Sequence, residues 1–65
     1  MQLAVGELPD GAEFRTVLTR RLGTVISKVT KRKERAVEAI IEPLGGQGLG
    51  ETVWLHPEVK VEVLK

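Results

Sequence analysis

Hydrophobic and polar residues alternate along much of this chain. The alternation is clearest near the C-terminal end, where three valines are separated by a lysine and a glutamate over residues 59–63. A period of two places the valines on one face of a strand and the charged residues on the other. Residues 24–30 contain five β-branched residues in seven, which also favours a strand. The pattern therefore predicts strands at 24–30 and 59–64, with the valines of the second facing inward.

Residues 12–22 and 36–42 fit both the strand period and the helical period. We interpret both as strands. An isolated helix of this length is marginal in water, and the strand predicted before residue 31 needs a hairpin partner. The alternative is an α+β fold with helices at 11–22, at 31–42, or at both.

Turn-forming residues separate these segments. Proline and glycine in Leu8-Pro9-Asp10-Gly11 predict a turn, as does Pro57-Glu58, and four glycines and a proline within residues 42–51 predict a flexible loop. A brief strand within residues 2–8 is possible, and residues 52–56 predict another strand. The sum is an all-β fold of about five short antiparallel strands in a small, partly open barrel, with residues 1–65 as a single domain.

Charge is unevenly distributed along the sequence. Residues 15–35 contain eight basic side chains and one acid, a net charge of +7, whereas the rest of the chain contains two lysines and eight acids, a net charge of −6. The total of +1 therefore hides a strong separation of sign. Such a separation bears on partners and says little about the fold.

The basic segment is the main candidate site. Lysine and arginine neutralise phosphates and release counterions, which gives salt-sensitive binding that depends little on the nucleotide sequence. The residues that could form such a face, if the two ends of the segment lie together, are Arg20, Arg21, Lys31, Arg32, Lys33 and Arg35. The competing interpretation is a solvated hairpin turn whose charge prevents strand edges from pairing. No aromatic residue falls within residues 15–35, so base-specific recognition of single strands is not expected.

The run from Arg20 to Val29, followed by a charged turn and Ala36-Val37-Glu38, resembles the KOW motif. The matching positions are Gly23, which follows basic residues, and Val25. The resemblance covers about a third of the chain and implies a small barrel of the Src-homology-like or Tudor type that contacts RNA, DNA or protein through its loops. The two ends of the chain are also similar to small bacterial or phage β proteins of unassigned role.

Trp54 and His56 are the candidate residues for binding a partner. If Val53 and Leu55 point inward, Trp54 and His56 share the outer face of their strand, where an exposed tryptophan would anchor a partner. The alternative for Trp54 is a cover over one end of the core, and for His56 a turn residue next to Pro57.

No residue pattern points to catalysis or to a cofactor. One histidine without cysteine cannot complete a zinc site or a catalytic triad. The glycine-rich loop lacks the lysine and serine or threonine that end a phosphate-binding loop. A pocket of several hundred Å³ is also hard to build in so short a chain. We therefore expect a protein that is not an enzyme and that needs no cofactor or metal.

A chain of 65 residues without cysteine has little to stabilise it beyond a small core. We therefore expect a homo-oligomer or a larger host assembly. No apolar run is long enough to span a membrane, and the first residues lack the pattern of a signal peptide. The expected location is the cytoplasm. The expected function is binding of nucleic acid or of a nucleoprotein assembly, and the alternative is a protein-interaction or self-associating module.

Overall fold

A computed structural model of the chain describes residues 1–43 and 48–64. The all-β prediction is confirmed, and the helical alternatives at 11–22 and 31–42 are wrong, because strands occupy both segments. The middle of the predicted loop at 42–51 lies outside the described residues. The strands are β1 (Gln2–Ala4), β2 (Glu13–Thr16), β3 (Leu22–Lys31), β4 (Glu34–Ile41), β5 (Glu51–Leu55) and β6 (Lys60–Val63).

The six strands form one antiparallel sheet in the order β1-β6-β2-β3-β4-β5. The sheet is not closed into a barrel: β1 and β5 are its two edges. The sixth strand is β1, which the sequence allowed as a brief strand before the first turn. A 3-10 helix, Val5–Glu7, follows β1 and brings Val5 into the core.

Among the described residues, eight hydrophobic side chains form the core, and β2, β3, β4 and β6 all contribute to it together with the segment before β2. They are Val5, Leu8, Phe14, Val25, Val37, Ala39, Ile41 and Val61. Only one of them is aromatic, so branched aliphatic side chains do most of the packing. Val61 confirms the inward face predicted for the last strand, but Val59 lies in the turn before β6 and is 40% exposed, so its predicted inward position is wrong.

Gly23 has a packing role. It is paired with Phe14 across β2 and β3, and a Cβ atom at Gly23 would lie 2.6 Å from Cζ of the phenylalanine ring. The fully buried ring therefore needs the space that the missing side chain leaves. The glycine that matched the KOW pattern is thus explained here by the packing of the core.

The second predicted strand is shorter than its hydrophobic pattern suggested. β2 ends at Thr16, because the backbone N–H of Arg20 donates to the Thr16 carbonyl (3.0 Å) and the Arg21 N–H donates to Thr16 Oγ1 (2.7 Å). These bonds close a tight turn over residues 17–20. Leu18 lies within the segment predicted as a strand but is 95% exposed at the tip of that turn.

Candidate nucleic-acid interface

The β3–β4 hairpin extends beyond the rest of the sheet. The last pair between β4 and β5 is Val37 with Leu55, and three further pairs of the hairpin lie past it, ending at Lys31 with Glu34. The connecting turn is only Arg32-Lys33, and both residues have positive φ (51° and 67°). The sequence prediction of a basic turn at the end of a β-ribbon is confirmed, although the turn is shorter than the predicted 31–35.

The turn geometry is unusual for these residue types. A two-residue hairpin turn with two positive φ angles normally uses Asn-Gly or a similar pair. A left-handed conformation costs a residue with a Cβ atom roughly 1–2 kcal/mol. Arg32 and Lys33 thus hold long cationic side chains at the tip at a cost in conformational energy.

A bulge in β3 determines which side chains share a face of the hairpin. The register shifts between Val25 and Ser27, so that Ser27 pairs with Glu38, and Glu38 in turn pairs with Trp54 on β5. Directly paired residues lie on the same face of a sheet. Lys31, four residues after Ser27, lies on that face as well.

Lys31 and Trp54 are in contact on this outer face. The Lys31 Nζ atom lies 4.2 Å from the centroid of the Trp54 ring, a cation–π arrangement. Trp54 is 51% exposed, while its neighbours Val53 and Leu55 pack against the core. The backbone of β5 is therefore anchored from the inner side, and the indole is presented outward as the sequence predicted.

An open groove of about 470 Å³ runs beside this contact. The hairpin supplies one wall and the end of β5 the other, and the lining residues are Lys31, Arg32, Glu34, Arg35, Ala36, Trp54, Leu55 and His56. Two predicted groups of site residues, the basic turn and the Trp54–His56 pair, thus meet in one place. The basic segment has no aromatic residue of its own, and hydrogen bonding of β5 to β4 brings Trp54 beside it.

His56 follows β5 at the start of the turn that leads to β6. Its Nδ1 atom accepts a hydrogen bond from the Glu58 N–H (3.1 Å), and the Val59 N–H donates to the His56 carbonyl (3.0 Å). The imidazole is exposed and its Nε2 atom is the one left for the groove. His56 is therefore both a turn residue and part of the groove lining.

The cations of the hairpin tip are exposed and have no carboxylate partner in the part of the chain that the structure describes. The ion pairs among the described residues join the N-terminus to Glu62 and Arg21 to Glu51, and neither involves the hairpin tip. Two acidic side chains reduce the positive electrostatic potential near the groove. Glu34 lines the groove, and Glu38, half-buried, lies beside Trp54 and accepts a long hydrogen bond (3.4 Å) from Ser27 Oγ.

The other two predicted site residues lie elsewhere. Arg20 and Arg21 precede β3, whereas Lys31 ends it, and a ten-residue strand is roughly 30 Å long when straight. The six predicted cations are therefore divided between the two ends of β3. The guanidinium of Arg21 is already bound within the protein. Its Nε donates to the Glu42 carbonyl (2.8 Å), and its Nη2 lies 3.2 Å from Glu51 Oε1.

Lys28 shows the same structural use of a cation. Because of the bulge it pairs with buried Val37, and its Nζ atom donates to the Leu8 carbonyl. The bulge turns this side chain towards the segment before β2 and away from the groove. The available cations are therefore Lys31, Arg32, Lys33 and Arg35.

The described residues contain no group of three or more metal-ligating side chains that could hold an ion, and none of their helices has the length and apolar character to cross a membrane. Comparison of the chain with protein-family models, with curated proteins and with solved structures found no match.

Proposed function

We propose that this chain is a non-catalytic nucleic-acid-binding module that uses the tip of the β3–β4 hairpin and the adjoining groove. One observation carries the proposal: four cations without carboxylate partners among the described residues project from a protruding ribbon next to a half-exposed tryptophan. Cations that are not engaged by the fold are the ones that can neutralise phosphates and release counterions. The resemblance of residues 20–29 to the KOW motif implies RNA, DNA or protein as the partner, a range that includes the class proposed here.

The conformational cost of the turn supports the same interpretation. Strained backbone positions persist where another requirement outweighs them. Asn-Gly would form this two-residue turn with less strain but would leave the tip without charge. Arg32 and Lys33 are consistent with a requirement for positive charge at the most exposed point of the ribbon.

A salt titration tests the proposal. If the four cations each contact one phosphate of a single strand, the slope of log K against log salt is about −2.8, and the affinity falls roughly 50-fold between 50 and 200 mM salt. Fluorescence anisotropy of labelled DNA and RNA oligonucleotides measures both. Absence of binding at the lowest salt, to duplex and single strands alike, would rule the function out.

A second candidate is self-association through an apolar surface formed by the turn after β2 and the start of β6. Leu18 is 95% exposed there, with Val17 (38%) and Val59 (40%), beside an apolar hollow of about 210 Å³ lined by Leu55. A projecting leucine next to a hollow suits a two-fold contact, in which each copy inserts its leucine into the other.

Sedimentation equilibrium tests this second candidate. A dimer that becomes a monomer on Leu18→Ser substitution is the expected result, and the same substitution should leave nucleic-acid binding unchanged. A monomer at all concentrations would contradict self-association. The apolar surface around Leu18 would then remain a candidate only for binding a different protein.

A further inference from the structure

We infer that the Lys31–Trp54 groove holds an unpaired base stacked on the Trp54 indole, so that the module prefers single-stranded nucleic acid to duplex. This inference rests on the proposed function, because it specifies the ligand of the same groove. The aromatic platform comes from β5 and not from the basic segment, and the stacking it offers does not depend on base identity.

The first step concerns access to the ring. Trp54 is half-exposed on a strand whose neighbouring side chains pack against the core, so its position is fixed while its indole stays open. The contact over the ring is made by the end of an exposed lysine side chain. A flexible exposed cation is readily displaced, and a stacked base gains more free energy on a tryptophan than an exposed cation–π contact does.

The second step concerns the displaced lysine. A base on the indole brings the phosphates of its own nucleotide within reach of the surrounding cations. Lys31 leaves the ring but stays within the groove, which Arg32 also lines. The lysine thus exchanges a π contact for a phosphate contact, and stacking and charge neutralisation can occur together.

The third step distinguishes single strands from duplex. In a duplex every base is already stacked and paired, and extracting one costs about as much as the new stack returns. The tip cations can contact the phosphates of either form. Trp54 is the chain's only tryptophan, Phe14 is buried and there is no tyrosine, so one base at most is stacked. The expected preference for single strands is therefore modest, roughly tenfold, and tolerant of base identity.

The single tryptophan makes the test specific to the site, because all tryptophan emission comes from Trp54. The full chain is titrated at low salt with a short oligothymidylate and, separately, with a duplex of the same length. We expect the oligothymidylate to quench the emission and to bind roughly tenfold more tightly than the duplex, which should leave the emission nearly unchanged.

Equal affinity for the two forms with unchanged emission would overturn this inference and leave the proposed function standing. Absence of binding to either form would remove both. Trp54→Leu, followed with a labelled oligonucleotide, should lower the single-strand affinity to the duplex level and leave the duplex affinity unchanged. Trp54→Phe should recover part of the loss. An equal loss for both forms in Trp54→Leu, with circular dichroism unchanged, would also count against stacking.

Discussion

The two ends of β3 carry similar basic residues that have different roles. At the start of the strand, the guanidinium of Arg21 is bound to the Glu42 carbonyl and paired with Glu51, so its charge stabilises the sheet. At the other end, Arg32 and Lys33 occupy a strained turn and project from it. The availability of a cation therefore depends on its position in the fold. A count of charges along the sequence treats the cations at the two ends as equivalent. The structure shows instead that Arg21 is bound within the protein, whereas Arg32 and Lys33 have no such partner among the described residues.

The largest effect is expected from removing charge at the hairpin tip. Substituting Lys31, Arg32, Lys33 and Arg35 together with glutamine should lower nucleic-acid affinity at low salt by more than about 50-fold and nearly abolish its salt dependence. The control replaces two exposed cations elsewhere, Arg20 and Lys60, with glutamine and should change the affinity no more than about threefold. A similar loss in both variants would mean that net charge, and not the hairpin, governs binding.

The next effect is on stability, at the other end of the strand. Arg21→Gln should lower the free energy of unfolding by about 2 kcal/mol, because a charge-assisted hydrogen bond to the Glu42 carbonyl is lost. Urea denaturation measures the change, and nucleic-acid affinity should stay within about twofold of the original. The neighbouring Arg20→Gln should change stability by less than about 0.5 kcal/mol. Stability unaffected by Arg21→Gln would contradict its structural role.

The strained turn gives a variant whose stability and binding change in opposite directions. Replacing Arg32-Lys33 by Asn-Gly should raise the unfolding free energy by about 1–2 kcal/mol, because both positions have positive φ. The same change should weaken nucleic-acid binding roughly tenfold, since two of the four tip cations are lost. Urea denaturation and anisotropy on one protein sample check both. A more stable protein that binds as before would show that the turn residues have no part in binding.

The smallest effect concerns the acid beside the tryptophan. Glu38 pairs with Trp54, and its carboxylate repels phosphates that approach the groove. Glu38→Gln should tighten binding about twofold to threefold at low salt, and the gain should vanish at high salt because the repulsion is screened. Glu62→Gln, on β6, is the control and should have no such effect. Weaker binding of Glu38→Gln would mean that this carboxylate contacts the ligand directly.

Much of the fold could be predicted from the alternation of polar and apolar residues. The period of two indicated the strands, and the need for a hairpin partner correctly favoured a strand over a helix at residues 36–42, where β4 spans Glu34–Ile41. The pattern could not show where β2 ends, because Val17 and Leu18 continue the alternation while hydrogen bonds to Thr16 turn the chain away. Hydrophobic periodicity does not predict hydrogen bonds of this kind.

The candidate site was only partly predictable for a related reason. The basic turn was evident because its charges are adjacent in sequence. The contact between Lys31 and Trp54 joins residues 23 positions apart. It depends on the pairing of β5 with β4 and on the bulge in β3, which places Lys31 on the face of Trp54. Arg20 and Arg35 are close in sequence, but Arg20 precedes β3 and Arg35 follows the turn at its other end, which charge along the sequence does not reveal.

An NMR titration of the ¹⁵N-labelled chain with a short single-stranded oligonucleotide at low salt tests the central claim most directly, because it reports every backbone amide at once. We predict that the shifted amides cluster at residues 29–36 and 54–56, and that the Trp54 indole N–H shifts with them. Shifts centred on residues 17–22, or none at any oligonucleotide concentration, would contradict the assignment of the interface to the hairpin tip.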